Sequence, residues 1–147
     1  MKTFKNKKAL REYFLMDEQE AGIVLHGSEI KSIRAGKLSF KDSYARIESG
    51  EVWLYNLHIS IFTQASYNNH LPERKRKLLL HKKQIEKMRK KVDEKGLTLI
   101  PKNLYINARG LVKVTLAVAK GKRNYDKRAD LQKKDQLRDM QRKIKNF

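Results

Sequence analysis

Short apolar runs separated by charge dominate this chain, and their spacing sets its fold class. Tyr13-Phe14-Leu15-Met16 and Gly22-Ile23-Val24-Leu25 have the length of barrel strands and lack the repeat of an amphipathic helix. Residues 43–47 and 52–61 flank Glu48-Ser49-Gly50-Glu51, where Ser-Gly supplies the positive backbone torsion of a hairpin. A second hairpin is clearer: Leu104-Tyr105-Ile106 runs through Asn107-Ala108-Arg109-Gly110, after which Val112, Val114, Leu116 and Val118 alternate with Lys113, Thr115, Ala117 and Ala119. That alternation predicts one buried face and one small or polar face. Between the hairpins, Ile85, Met88 and Val92 recur at helical spacing within residues 82–95, and Gly96 is placed to end the helix in a left-handed cap. This helix is expected to plug or cover the sheet. Another short helix lies between Gly27 and Gly36; Ile30 and Ile33 supply its apolar side, leaving Glu29, Lys31, Ser32 and Arg34 to project. Residues 63–77, with Asn68, Asn69, Pro72 and the run Arg74-Lys75-Arg76-Lys77, read as a loop.

These elements predict a β-rich α+β fold, a small closed barrel of the oligonucleotide-binding (OB) type with about six strands and two or three short helices. After Ala119 the pattern changes, so residues 1–119 are read as the barrel domain and 120–147 as a basic C-terminal tail. Leu137, Met140, Ile144 and Phe147 form a helical stripe too narrow to hold a helix against the body. The tail is therefore expected to be disordered in solution and helical on its target.

Charge identifies the class of partner. Thirty-five Lys and Arg against sixteen Asp and Glu give a net charge of +19, the electrostatic footprint of a nucleic-acid binder. A membrane-surface protein would also be basic, but it calls for a long helix with a broad apolar face, whereas the apolar residues here are arranged mostly as strands. The basic N-terminus resembles the start of a signal peptide until Asp17, Glu18 and Glu20 interrupt it. No apolar stretch reaches the roughly 18 residues needed to cross a bilayer. A cytoplasmic protein without membrane attachment is expected, and the absence of cysteine excludes disulfides, zinc knuckles and thiol nucleophiles. His26, His58, His70 and His81 are scattered with no metal-binding or catalytic spacing, so no enzyme, metal or cofactor is expected.

Several residues are candidates for RNA contact. Glu29, among so many cations, either orients Lys31 or Arg34, accepts hydrogen bonds from a base or ribose, or is a helix-terminal acid favoured by the dipole. In Lys41-Asp42-Ser43-Tyr44, Ser43 is placed to hold a phosphate or sugar oxygen and Tyr44 to stack on a base, although a barrel tyrosine also suits the core. Asn56 and His58 fall on the face opposite Leu57 and Ile59, where they contact unpaired bases or form a surface pair; Trp53 is read as packing. His81-Lys82-Lys83 puts positive charge beside the free amides of the central helix, either a phosphate grip or a merely solvated lysine face. Lys37 completes the basic set around the first helix. In the tail, Lys122, Arg123, Lys127 and Arg128 flank Tyr125, a stacking face among phosphate-binding charges, with Asp126 to position them.

The segment Gly27-Ser28-Glu29-Ile30-Lys31-Ser32-Ile33-Arg34-Ala35-Gly36, with Lys41-Asp42-Ser43-Tyr44, Asn56-Leu57-His58-Ile59 and the run 121–128, resembles the small protein B (SmpB) family. That family is the bacterial partner of transfer-messenger RNA (tmRNA) in the rescue of stalled ribosomes. The resemblance implies the OB-type fold, an RNA-facing Gly-x-Glu-x-Lys-Ser-x-Arg segment, and a barrel that binds the tRNA-like domain of tmRNA. It also implies elongation factor Tu in the same complex, a tail start that engages ribosomal RNA, and Met140 and Ile144 on a helix that probes the vacant messenger channel. The chain departs from the family's Ile-Met pair, reading Lys143-Ile144. No long apolar seam argues for a dimer, so a monomer is expected. The alternative is a general RNA-binding or ribosome-associated barrel without tmRNA specificity.

Overall fold

The computed structural model describes residues 2–61 and 69–122. Six of its strands close into a ring. In chain order they are β2 (Tyr13–Ile23), β4 (Tyr44–Glu48), β5 (Glu51–Tyr55), β7 (Arg76–Leu79), β8 (Thr98–Ile106) and β9 (Val112–Gly121). The ring runs β8-β4-β5-β7-β2-β9 and returns to β8 by the β8–β9 pairing, every pair antiparallel. Closure removes free sheet edges and encloses the core, including Ile33, Val52, Leu54, Leu78, Leu104, Val114 and Leu116. A short strand β1 (Lys2–Lys5) adds to β8 beyond β4, and β3 (Leu38–Ser39) pairs with β6 (His58–Ile59) as a separate ribbon.

Both hairpins follow their turn residues. Ser49 (φ 51°) and Gly50 (φ 76°) take the two positive torsions of the β4–β5 turn. At the β8–β9 turn the Asn107 side chain accepts from the backbone N–H groups of Arg109 and Leu111, both at 3.0 Å. The central helix α3 (Lys82–Lys95) buries Ile85 and Met88 in the core and ends at Gly96 in the left-handed conformation.

Four expectations need correction. The two apolar runs at 13–16 and 22–25 belong largely to one eleven-residue strand, because Asp17 and Glu18 occupy a bulge between Met16 and Gln19 that carries the chain past its charged interruption. Residues 52–61 are not one strand, since Asn56 (φ 64°) breaks β5 from β6. The loop expected over 63–77 ends early, for Arg76 and Lys77 open strand β7; residues 63–68 lie outside the described residues. The small face of β9 is covered too: Ala119 packs with Ala9 and Ile100 beneath helix α1 (Lys7–Glu12). Asn6 pins that helix to β8, its amide nitrogen donating to the Pro101 carbonyl at 2.8 Å and its backbone N–H to Lys102 at 2.9 Å, where proline and a bulge interrupt the ladder.

Candidate nucleic-acid interface

The helix α2 (Gly27–Arg34) turns its polar residues inward. Ser28, Glu29, Ser32 and Ile33 are buried, while Ile30 is only partly so. An anion can occupy that face because its partners arrive from far along the chain. Glu29 Oε1 accepts from the His26 backbone N–H at 2.8 Å and from Arg74 at 2.5 Å, and Oε2 accepts from Arg76 Nε. Arg76 is itself fully buried and donates onward to the carbonyls of Leu57 (2.6 Å) and Pro72 (2.9 Å). Burial opposes ionisation of Glu29, but hydrogen bonds from Arg74, the His26 amide and Arg76 prevail and hold its carboxyl below the usual range.

Three further bonds fasten the same layer. Ser32 donates to the Ser60 carbonyl at 2.6 Å. His70 Nε2 donates to the Ile59 carbonyl at 2.8 Å, which leaves Nδ1 to accept from the Ser28 hydroxyl at 2.9 Å. Glu29 and Ser32 thus fasten α2 to residues 57–60 and 70–76, and both are fully buried. Lys31, Arg34 and Lys37 remain on the exposed side.

Other candidates fall into separate groups. Lys41 and His58 converge on Glu73, at 2.5 Å and 3.4 Å. The hydrogen bond and charge of Lys41 depress the Glu73 carboxyl. Leu57 and Ile59 are buried, with Asn56 exposed and His58 half-buried on the other side. Tyr44 stacks on Tyr55, centroids 5.4 Å apart and planes at 12°. Ser43 is buried and its hydroxyl has no hydrogen-bond partner among the described residues. Trp53 is half-buried on the outer face of β5, under the Lys75 ammonium at 4.5 Å. His81, Lys82 and Lys83 are exposed at the start of α3, where Gln84 Oε1 already accepts from the His81 backbone N–H at 2.9 Å. Of the tail candidates only Lys122 is described, its ammonium 4.8 Å from the Phe14 ring centroid. Arg123, Tyr125, Asp126, Lys127, Arg128, Met140 and Ile144 lie outside the described residues.

Residues 3–146 match the family model described as SmpB protein. The chain belongs to the SmpB family. Among its curated relatives, the SsrA-binding protein of Thermosipho melanesiensis (strain DSM 12029 / CIP 104789 / BI429) is 52% identical over 142 residues, covering 97% of this chain and 94% of that one. Its counterpart in Desulfitobacterium hafniense (strain DSM 10664 / DCB-2) is 52% identical over 141 residues, 96% of this chain and 90% of the relative. The SsrA-binding protein of Shouchella clausii (strain KSM-K16) is 54% identical over 140 residues, with coverage of 95% and 89%. A solved structure reported as "tmRNA-SmpB: a journey to the center of the bacterial ribosome" aligns with a TM-score of 0.70 at 48% identity, covering 82% of this chain and 84% of that chain. The SmpB barrel reading of the sequence therefore holds for the fold.

Sequence reasoning overlooked the arginines of this SmpB-family layer. The run 74–77 reads in the sequence as the basic end of a loop, although Arg74 and Arg76 are the cations that Glu29 requires. A usable signal was the isolated acid in a basic helix, which calls for a specific cation once its face is buried. The N-terminal lysines, Lys2, Lys5, Lys7 and Lys8, were also passed over as candidates; all are exposed on β1 and α1.

Proposed function

We propose that this chain is an RNA-binding adaptor of trans-translation: the barrel binds the tRNA-like domain of tmRNA and carries it to stalled ribosomes. The observation that carries the reading is an exposed basic side of α2 and the α3 start, Lys31, Arg34, Lys37, Lys82 and Lys83, on a closed barrel that needs its interior cations for itself. The SsrA-binding relatives and the tmRNA–SmpB structure support the same partner. A-form backbone flanked by unpaired loop bases suits such a surface, with phosphates on the lysines and bases on Tyr44, Asn56 and His58. Elongation factor Tu carries the aminoacylated RNA in the same complex, and the chain acts there as a cytoplasmic monomer without turnover. The tail, residues 123–147 with Tyr125 near its start and Met140 and Ile144 near its end, engages ribosomal RNA and occupies the messenger channel only where that channel is empty. No helix among the described residues is long and apolar enough to cross a membrane.

Equilibrium binding over a salt series tests the reading. The tRNA-like domain of tmRNA is expected to bind more tightly than an elongator tRNA or a duplex DNA by at least about tenfold, roughly 1.4 kcal/mol, at physiological salt. Its salt slope should be shallower than theirs, because contacts to bases and sugars release no counterions. Equal affinities that collapse together as salt rises would reduce the protein to a general basic RNA binder.

A further inference from the structure

Three exposed apolar side chains meet on the outer face of the barrel, where β7, β2 and β9 lie side by side. Gly22 of β2 pairs with Leu79 of β7 on one side and with Lys113 of β9 on the other. Two residues on, Val24 keeps the same outward side, and its backbone N–H donates to the Lys77 carbonyl at 3.0 Å. Leu111 stands two residues before Lys113, with buried Val112 between them. The face is therefore two rows, Leu79, Gly22 and Lys113 in one and Lys77, Val24 and Leu111 in the other. Val24, Leu79 and Leu111 are 45%, 52% and 52% exposed, at positions where a strand that faces water ordinarily carries polar residues. A Cβ at Gly22 would stand 3.2 Å from the Leu79 Cβ, so glycine lets Leu79 lie across β2 and close the strip.

Charge and shape sort what can cover it. Lysines hold two opposite corners of the face. Lys113 has no ion-pair partner among the described residues, and Lys77 is joined at 3.0 Å to Glu51, a carboxylate exposed enough to exchange for another. A second copy of the chain would bring the same cations and a net charge of +19 against them. RNA gains little, because valine and leucine offer a phosphate no donor and a base no aromatic plane, and the nearby Trp53 ring is already capped by Lys75. An apolar ridge edged with carboxylates meets both features. From Leu79 to Leu111 the strip measures about 12 Å by the spacing of strands, close to the roughly 10 Å that separates side chains two turns apart on a helix.

We propose that this face docks an acidic, amphipathic helix of a partner protein, with its apolar side on Leu79, Val24 and Leu111 and its carboxylates on Lys77 and Lys113. Burial of the three side chains supplies the attraction, and the lysines set which helices are accepted. None of the residues assigned to RNA above lies on this face, so the barrel can hold its RNA and the partner together.

The test is nuclear magnetic resonance titration of the full-length protein with a helical peptide of glutamate and alanine that carries leucine at every third or fourth position. The same peptide with serine for each leucine, and a single-stranded oligouridine, are titrated beside it. The leucine peptide is expected to shift the amide signals of Gly22, Val24, Leu79 and Lys113, and the other two ligands to leave them in place. Leu79→Ser combined with Leu111→Ser should weaken the leucine peptide about tenfold or more, yet hold the melting temperature within a few degrees because both side chains are already exposed. Lys113→Glu, which removes no apolar strip, should weaken it about threefold. Equal shifts from the serine peptide would reduce the face to charge attraction, shifts from the oligouridine would make it an RNA surface, and shifts on raising the protein concentration alone would give it to a second copy. Each of these overturns the inference, as does silence of the four signals with the leucine peptide. Wild type and the double variant should bind the tRNA-like domain of tmRNA equally: failure of both to bind it would sink the adaptor reading alone, and failure of the double variant only would sink this inference.

Discussion

Glu29→Gln is expected to destabilise the protein by about 3–5 kcal/mol at pH 7, because it leaves Arg76 fully buried beside a neutral amide. For a chain of this size that lowers the melting temperature by on the order of 10 °C. The loss comes less from the pair's attraction than from a guanidinium stranded away from water. Glu29→Leu with Arg76→Met should accordingly be less destabilised than Glu29→Gln alone, since both charges leave together. Acid gives an independent check. The folded Glu29 carboxyl titrates below its ordinary value of 4.5, so its stabilisation is complete above that pH and is lost as the pH falls through the folded value. Wild type and Glu29→Gln should therefore differ fully in urea denaturation at pH 7 and converge on acidification. Affinity for RNA should fall only as far as the folded fraction does. A variant of unchanged stability that no longer binds RNA would return Glu29 to the interface.

Elements defined by near neighbours could be read before the fold was known. Ser49-Gly50, Asn107 to Gly110, the alternation from Val112 and the stripe Ile85-Met88 each state their structure within a few residues. Elements defined by distant partners could not. Strand β7 hides in the run Arg74-Lys75-Arg76-Lys77 because the first of its two inward residues is an arginine, and this arginine is buried in the strand against an acid 47 positions away. Helix α1 carried a local signal, Asn6 accepting at 3.2 Å from the Ala9 N–H as a cap, but its lysine-rich sequence gave no apolar stripe. The same logic governs α2. Two isoleucines pointed to the wrong inward face, for only Ile33 is fully buried, and Ser28, Glu29 and Ser32 join it through bonds to His70, Arg76 and Ser60. The motif was legible as a mark of function, while the direction of its side chains was a property of the tertiary contacts.

Truncation after Lys122 is expected to abolish ribosome rescue and to leave binding of the tRNA-like domain within about threefold of the full chain. The cut site follows from the strand pairing. Lys120 and Gly121 belong to β9, opposite Phe14 and Tyr13, and Lys122 covers the Phe14 ring. Removing residues from 120 onward would take ladder bonds from β2 and uncover that ring, so a loss of RNA binding in the shorter chain would report barrel damage. Cutting after Lys122 keeps the closed ring intact, and the melting temperature should stay within a few degrees, since no described strand is shortened. Charge supports the retained affinity. Nine Lys or Arg against four Asp lie beyond Lys122 in a chain of net charge +19, so most of the cationic excess stays with the barrel. On the proposed reading the rescue function has no such reserve, because it assigns to the tail the part that enters the empty messenger channel. Rescue measured in a reconstituted translation system, beside equilibrium binding of the same truncated protein, decides the matter: parallel loss of both activities would show that barrel and tail bind RNA as one surface.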